Sequence, residues 1–210
     1  SEMVQAILAG RKTQTRRVIE PQPIFDGFYY EYKDIPWLKT GDPLPFIGHL
    51  CPHGVPGDQL WVRESWRTVE VDSGLDGVLY KADNHFQPIE NTQAAADLWC
   101  DAHKNAKHGK AWRPSIHMYR WMSRIMLCVV NVRVERLQDI SEEDAIAEGL
   151  VSWKSEKTDA IHYGIKASDV WEADPRITYK RLWDKVNSDR GYSFESNPWV
   201  WVISFKVVKP

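Results

Sequence analysis

Eight residues near the start of the chain, Gly10-Arg11-Lys12-Thr13-Gln14-Thr15-Arg16-Arg17, pack four cations around two hydroxyls. Guanidinium groups grip phosphate oxygens in a planar fork, and a lysine ammonium adds a mobile point charge. Such a set suits a nucleoside or an RNA strand. A second constellation joins planar rings to guanidinium groups: Trp61, Arg63 and Trp66, then His117, Arg120, Trp121 and Arg124. Unstacked bases and their phosphates need both kinds of partner. Each of these Trp residues also has a plainer reading as core packing, and His117 as a hydrogen-bonded structural histidine.

Two groups carry metal-ligating atoms, Cys51 with His53 and Cys100 with His103 and His108. Their spacings match no common zinc pattern, so neither a metal nor another cofactor is expected. Three Cys residues, an odd number without framework spacing, point to a reducing cytoplasm. No apolar run has transmembrane length, and no membrane partner is expected.

The formal net charge of −2 excludes a chain that is basic all over. The charges are segregated, however. Carboxylates gather near 139–148 and 156–174, whereas Lys104, Lys107, Lys110, Arg113, Arg120, Arg124, Arg133 and Arg136 share their stretch with a single acid, Glu135. A one-sided field of this kind attracts a polyanion even at near-zero total charge; a solvated surface would look the same. A hydrophobic content of 43% with 27% charged residues is that of a globular chain with a sizeable core.

The elements that must position these groups follow from periodicity. Residues 1–10 read as a short helix, capped by Ser1 and stopped by Gly10, so the basic stretch leaves a helix C-terminus as a loop. Residues 20–56, with Pro21, Pro23, Pro36, Pro43, Pro45, Pro52 and Pro56, exclude long regular elements and read as an ordered insertion. Pro56-Gly57-Asp58 signals a turn before a strand over 59–66. A short strand over 78–82 and a helix over 92–104, capped by Thr92, come next. The clearest strand runs from Ile125 to Leu137, with Val130, Val132 and Val134 expected on one face and Val129, Asn131 and Arg133 on the other. Ser141-Glu142-Glu143-Asp144 is a capping-box pattern for a helix stopped by Gly149. Residues 151–174 read as loop. A second amphipathic helix starts at Asp174-Pro175 and presents Tyr179, Leu182, Trp183 and Val186 on one face. A final strand covers 199–208.

These motifs together resemble the ASCH family. The resemblance rests on the Ile-Leu-Ala-Gly helix end, the Arg-Lys-Thr-Gln-Thr-Arg-Arg stretch, Pro-Gly-Asp before a strand, Arg-Pro-Ser-Ile-His-Met, Ser-Glu-Glu-Asp-Ala and the terminal Trp-Val-Ile-Ser-Phe-Lys. It covers residues 2–19, 55–67, 112–150 and 178–208, and is greatest to the larger bacterial and prophage members. It implies an α+β fold, a PUA-like mixed β-barrel with flanking helices, as a single domain over 1–210 with insertions at about 20–54, 68–111 and 151–176. Family members are associated with RNA binding, ribonuclease activity and deacylation of N4-acetylcytidine. The small amidohydrolases use a Lys-x-x-Thr pair and a helix Glu, which fall here on Lys12, Thr15 and Glu148. In that reading Thr15 is the nucleophile, Lys12 its base, and Glu148 the proton shuttle. Arg11, Arg16 and Arg17 surround them and contact the ligand, a nucleoside or single-stranded RNA. A binding-only module and a ribonuclease remain the alternatives.

Overall fold

The computed structural model describes residues 1–25, 29–33, 35–38, 47–72, 74, 76–165 and 170–208. Pro43 and Pro45 of the proline-rich stretch lie outside the described residues. In chain order the elements are α1 (Glu2–Leu8), β1 (Gln14–Val18), β2 (Ile24–Phe25), β3 (Tyr29–Tyr32), β4 (Ile35–Leu38), β5 (Gln59–Trp61), β6 (Trp66–Val69), β7 (Gly77–Tyr80), β8 (Phe86–Pro88), α2 (Gln93–Asn105), β9 (Met126–Arg136), α3 (Glu142–Ala147), β10 (Val151–Lys154), β11 (Ile161–Gly164), α4 (Pro175–Asn187) and β12 (Trp199–Val208). The architecture is α+β, and every strand pairing whose register is described is antiparallel. No helix among the described residues is long and apolar enough to cross a membrane.

The chain divides into two compact units. One is built chiefly from Trp61–Met126 and contains the whole of the 68–111 segment. The other comprises Ala6–Leu60 and Leu127–Val207 and holds a four-stranded sheet in the order β1-β12-β9-β5.

In that sheet Gln14 faces Ser204, Thr15 faces Ile203, Arg16 faces Val202 and Arg17 faces Trp201. Strand side chains alternate between faces. Gln14, Arg16 and Val18 therefore share one face with Val200 and Val202, and Thr15 and Arg17 share the other with Trp201 and Ile203. The first face is covered by α3, α4 and their flanks through Leu137, Ile140, Ala145, Leu150, Tyr179 and Trp183. The second packs on Ile19, Tyr32, Cys51 and Val129. Trp201 is fully buried, so Trp201→Ala would cost about 3–5 kcal/mol.

Strand β9 departs from the single alternation expected of it. Val129, Val132 and Val134 all pack on the Trp201 side, while Arg133 and Glu135 reach Arg16 and Asp144 on the other. Facing therefore changes between Val129 and Val132, which requires one extra residue of the kind a β-bulge supplies. Val130, expected on one face with Val132 and Val134, is parted from them and exposed.

Other expectations also give way. The basic stretch is not a loop throughout, because Gln14–Val18 is an edge strand. The strand expected over 59–66 is two, β5 and β6. Between them Val62 N–H bonds Ile125 O and Trp66 exchanges two bonds with Arg113, so the backbone changes partner at the break. Residues 151–174 contain the β10–β11 hairpin, with Val151 opposite Gly164. On α4, Val186 is exposed, whereas Thr178 and Asn187 are buried. The helix caps agree with the sequence: Ser1, Thr92, Ser141 and Asp174 each accept a bond from a first-turn N–H.

Candidate ligand-binding site

The two faces of β1 carry different chemistry. On the helix-covered side, the Lys12 ammonium donates to Gln14 O at 2.8 Å, Glu148 O at 2.9 Å and Glu148 Oε2 at 2.7 Å. Its three protons are thereby all used. Arg16, whose side chain is fully buried, donates to Glu135 Oε1 at 3.0 Å, Gln14 Oε1 at 2.7 Å, Asp144 Oδ2 at 2.7 Å and Glu148 Oε1 at 3.3 Å. Arg133 joins through Glu135 Oε2 at 3.1 Å and through Asp144 Oδ2. Three cations thus meet three carboxylates, and the network is neutral. Such a network holds a core together, because removing one member leaves a buried charge without a partner.

Backbone contacts fix this arrangement. Lys12 and Glu148 form a β-bridge, and Thr13 N–H bonds Ala147 O at 2.9 Å. Gly149 follows with φ +104°, and a Cβ there would meet the Ala6 and Lys12 Cβ atoms at 3.0 Å. Only glycine lets the end of α3 pass so close to Lys12. Burial lowers the Lys12 pKa, Glu148 offsets part of the loss, and the Arg17 and Arg16 charges add to it. For Asp144, burial alone would raise the carboxyl, but hydrogen bonds and charge from Arg16, with charge from Arg133, hold it below its ordinary value.

The other face is open. Thr15, Arg17, Pro52, His53, Asp58 and Gln59 line a concavity of about 500 Å³ that Ile203 floors. Exposed Arg17 uses only Nη1, donating to Thr15 Oγ1 at 3.0 Å and to Arg16 O at 3.1 Å. Its Nε and Nη2 have no hydrogen-bond partner among the described residues. Burial, then the Arg17 charge, lowers the His53 pKa, so the imidazole is neutral at pH 7. The loop carrying His53 is pinned on its C-terminal side. Asp58 Oδ2 accepts from Val55 N–H at 2.9 Å, while Gly57 N–H bonds Val129 O and Val129 N–H bonds Asp58 O, both at 2.9 Å. Gly57 adopts φ +99°, as the Pro-Gly-Asp turn requires. A guanidinium, a hydroxyl, a primary amide and a neutral imidazole can together bind an oxyanion and accept a proton, with the Asp58 carboxylate of the lining engaged by Val55 N–H.

Of the expected catalytic set, the structure brings Lys12 and Glu148 together and places Thr15 on the opposite face. Arg16, expected at the ligand, is instead enclosed by protein carboxylates, where a phosphate cannot reach it. Arg11 is half-buried in the turn before β1. Trp61, Arg63, Trp66, His117, Arg120, Trp121 and Arg124 all belong to the Trp61–Met126 unit. Within it Trp66 is 1% exposed and is core. Arg124 grips Glu64 at 2.9 and 2.7 Å and Asp83 at 3.0 and 2.8 Å, so it is occupied as well. The Arg63 guanidinium lies 4.8 Å from the Trp61 ring centre. His117 and Arg120 are exposed, and half-buried Trp121 lines a cavity of its own unit.

The same unit holds an apparent hydroxyl–imidazole–carboxylate relay. Thr68 Oγ1 lies 2.8 Å from His103 Nδ1, and His103 Nε2 lies 3.5 Å from Glu70. Thr68 is 1% exposed, so no substrate reaches its hydroxyl. No group of three or more His, Cys, Asp or Glu among the described residues is arranged to hold a metal ion. Cys51 is a buried free thiol whose pKa burial pushes up.

His53 and Gln59 escaped the sequence reading. His53 entered it only as a metal ligand, and Gln59 only as a strand residue. The available signal was parity: an extended Thr15-x-Arg17 sends both side chains to one face, away from Lys12, Gln14 and Arg16. No family model, curated protein or solved structure matches the chain.

Proposed function

We propose that the chain is an RNA- or modified-nucleoside-binding module whose sheet unit seats a phosphate against Arg17. The observation that carries this reading is the division of β1. Its inner face is a neutral, saturated ion network, and its outer face presents an exposed guanidinium beside Thr15 and neutral His53. Lys12 acting as base for Thr15 has less support, since its protons are engaged and Thr15 faces away. The ASCH resemblance adds a PUA-like reading of the fold and the nucleoside or RNA class of ligand.

Salt-dependent binding of a short single-stranded RNA tests the proposal. Affinity should fall as salt rises, through counterion release. Arg17→Ala should weaken binding and shallow the log–log slope by about 0.7, one single-strand phosphate contact. An affinity indifferent to salt, or a slope unchanged by Arg17→Ala, refutes the phosphate role.

His53 favours a second reading of the same concavity, as a ribonuclease. A neutral imidazole can take the proton of a 2′-hydroxyl as its oxygen bonds to phosphorus and the P–O5′ bond breaks, leaving a 2′,3′-cyclic phosphate; the neighbouring guanidinium stabilises the charge on the phosphate, and the 5′-oxygen leaves with a proton from water. Cleavage of RNA but not DNA, lost in His53→Gln while binding persists, is the result this reading requires.

A further inference from the structure

A cavity of about 300 Å³ lies within the Trp61–Met126 unit, at the low end of the range for small-ligand pockets, roughly 300–1,000 Å³. Its walls are aromatic and aliphatic, with Tyr80 and Trp121 among β7, β8 and the start of α2. Three polar groups interrupt them: Gln87, Glu90 and Thr92. The site is pre-formed. The Tyr80 hydroxyl lies between Met122 O and Gln87 Oε1, 3.0 Å from the latter. The single hydroxyl proton serves the nearer acceptor, Met122 O, so Gln87 spends at most one amide N–H on the Tyr80 oxygen and keeps at least one as a donor. Thr92 Oγ1 caps α2 by accepting from Ala95 N–H, so its hydroxyl proton remains a donor. The Trp99 indole anchors the helix to the sheet by donating to Gly77 O at 2.9 Å. The Trp121 Nε1 is buried without a hydrogen-bond partner among the described residues.

These groups define a ligand. Half-buried Trp121 offers the aromatic surface of the lining, which with the aliphatic side chains around it favours a planar ring. Gln87 and Thr92 offer donors, so the ring must carry an acceptor. Glu90 is the one charged lining residue, and its carboxylate accepts hydrogen bonds from an amine and repels phosphate. We propose that this cavity binds a planar nitrogen heterocycle bearing an exocyclic amine, a nucleobase of the adenine, cytosine or guanine kind, as base or nucleoside. The assignment uses no residue of the sheet unit and stands whether or not Arg17 binds phosphate.

Calorimetric titration with cytidine, adenosine, guanosine and uridine tests it, with cytidine 5′-monophosphate as the charge control. At least one amine-bearing nucleoside should bind about tenfold more tightly than uridine, about 1.4 kcal/mol. Cytidine should bind more tightly than its monophosphate. Ala95→Leu, on a half-buried helix position, should fill the cavity and remove binding while the melting temperature holds. Glu90→Gln, at an exposed position, should bring cytidine and uridine to near parity without touching the apolar walls. Equal affinity for uridine and every amine-bearing nucleoside, binding that survives Ala95→Leu, or no nucleoside binding at all overturns the proposal. Loss of RNA binding in Arg17→Ala leaves all these readouts unchanged.

Discussion

Lys12 meets Glu148 twice, at the carboxylate Oε2 and at the backbone carbonyl, across 136 residues of sequence. The pair joins the entry of β1 to the exit of α3 and shields both groups from water. Lys12→Met should therefore destabilise the protein by about 3 kcal/mol, because Glu148 stays buried and loses its closest partner. Adding Glu148→Leu should recover about half of that loss. Urea unfolding midpoints measure both, and a double mutant as unstable as the two singles summed would show that the pair is not coupled.

Asp144 sets the acid side of stability. Its folded-state pKa is depressed, chiefly by Arg16 against the opposing effect of burial. Its contribution is present above the unfolded-state value near 3.9 and is lost as pH falls through the lower folded value. Asp144→Asn should flatten the decline of melting temperature below about pH 4. An unchanged slope there would place the acid sensitivity elsewhere.

The sign reverses for RNA at His53. Burial and Arg17 lower its folded-state pKa, so its contribution to stability is intact above the unfolded value and is lost as pH falls toward the folded one. A phosphate beside the ring favours the protonated form. RNA binding should then take up a proton, and affinity should rise several-fold as pH drops from about 7 to about 5. Calorimetry in buffers of different ionisation enthalpy detects the uptake. His53→Gln should abolish it, and uptake that survives the substitution assigns the proton to another group.

N4-acetylcytidine separates the binding module from the amidohydrolase. Acetate release at the rate of the protein-free control is the expected outcome. Hydrolysis abolished by both Lys12→Ala and Thr15→Ala, in variants that still fold, would restore the catalytic set and displace the binding reading.

Local signals carried much of the fold. Caps at Ser1, Thr92, Ser141 and Asp174 mark helix starts because one side-chain oxygen and one N–H decide them within four residues. The division of Arg16 from Arg17 was harder to read. Four neighbouring cations look alike in a list, and only strand geometry sends Arg16 to Glu135 and Asp144 and Arg17 to solvent. Lys12 and Glu148 were paired by family likeness, which gave their proximity but not the saturation of the ammonium. His53 was obscured because its neighbours Thr15 and Arg17 lie far away in sequence, and its own segment advertises only prolines and a turn.

The change of facing in β9 gives that strand two reading frames. Before it, odd positions such as Val129 look toward Trp201; after it, even positions do. Deleting one residue between Val129 and Val132 would remove the extra residue and merge the frames, leaving Val132 and Val134 facing Trp201 and Arg133 and Glu135 facing Arg16 and Asp144 in one unbroken alternation. Val130 and Asn131 are both exposed and can change identity. One of them is the extra residue of the bulge, so at this point the strand tolerates substitution and the loss of a single residue, whereas a deletion within 132–135 would exchange the two faces.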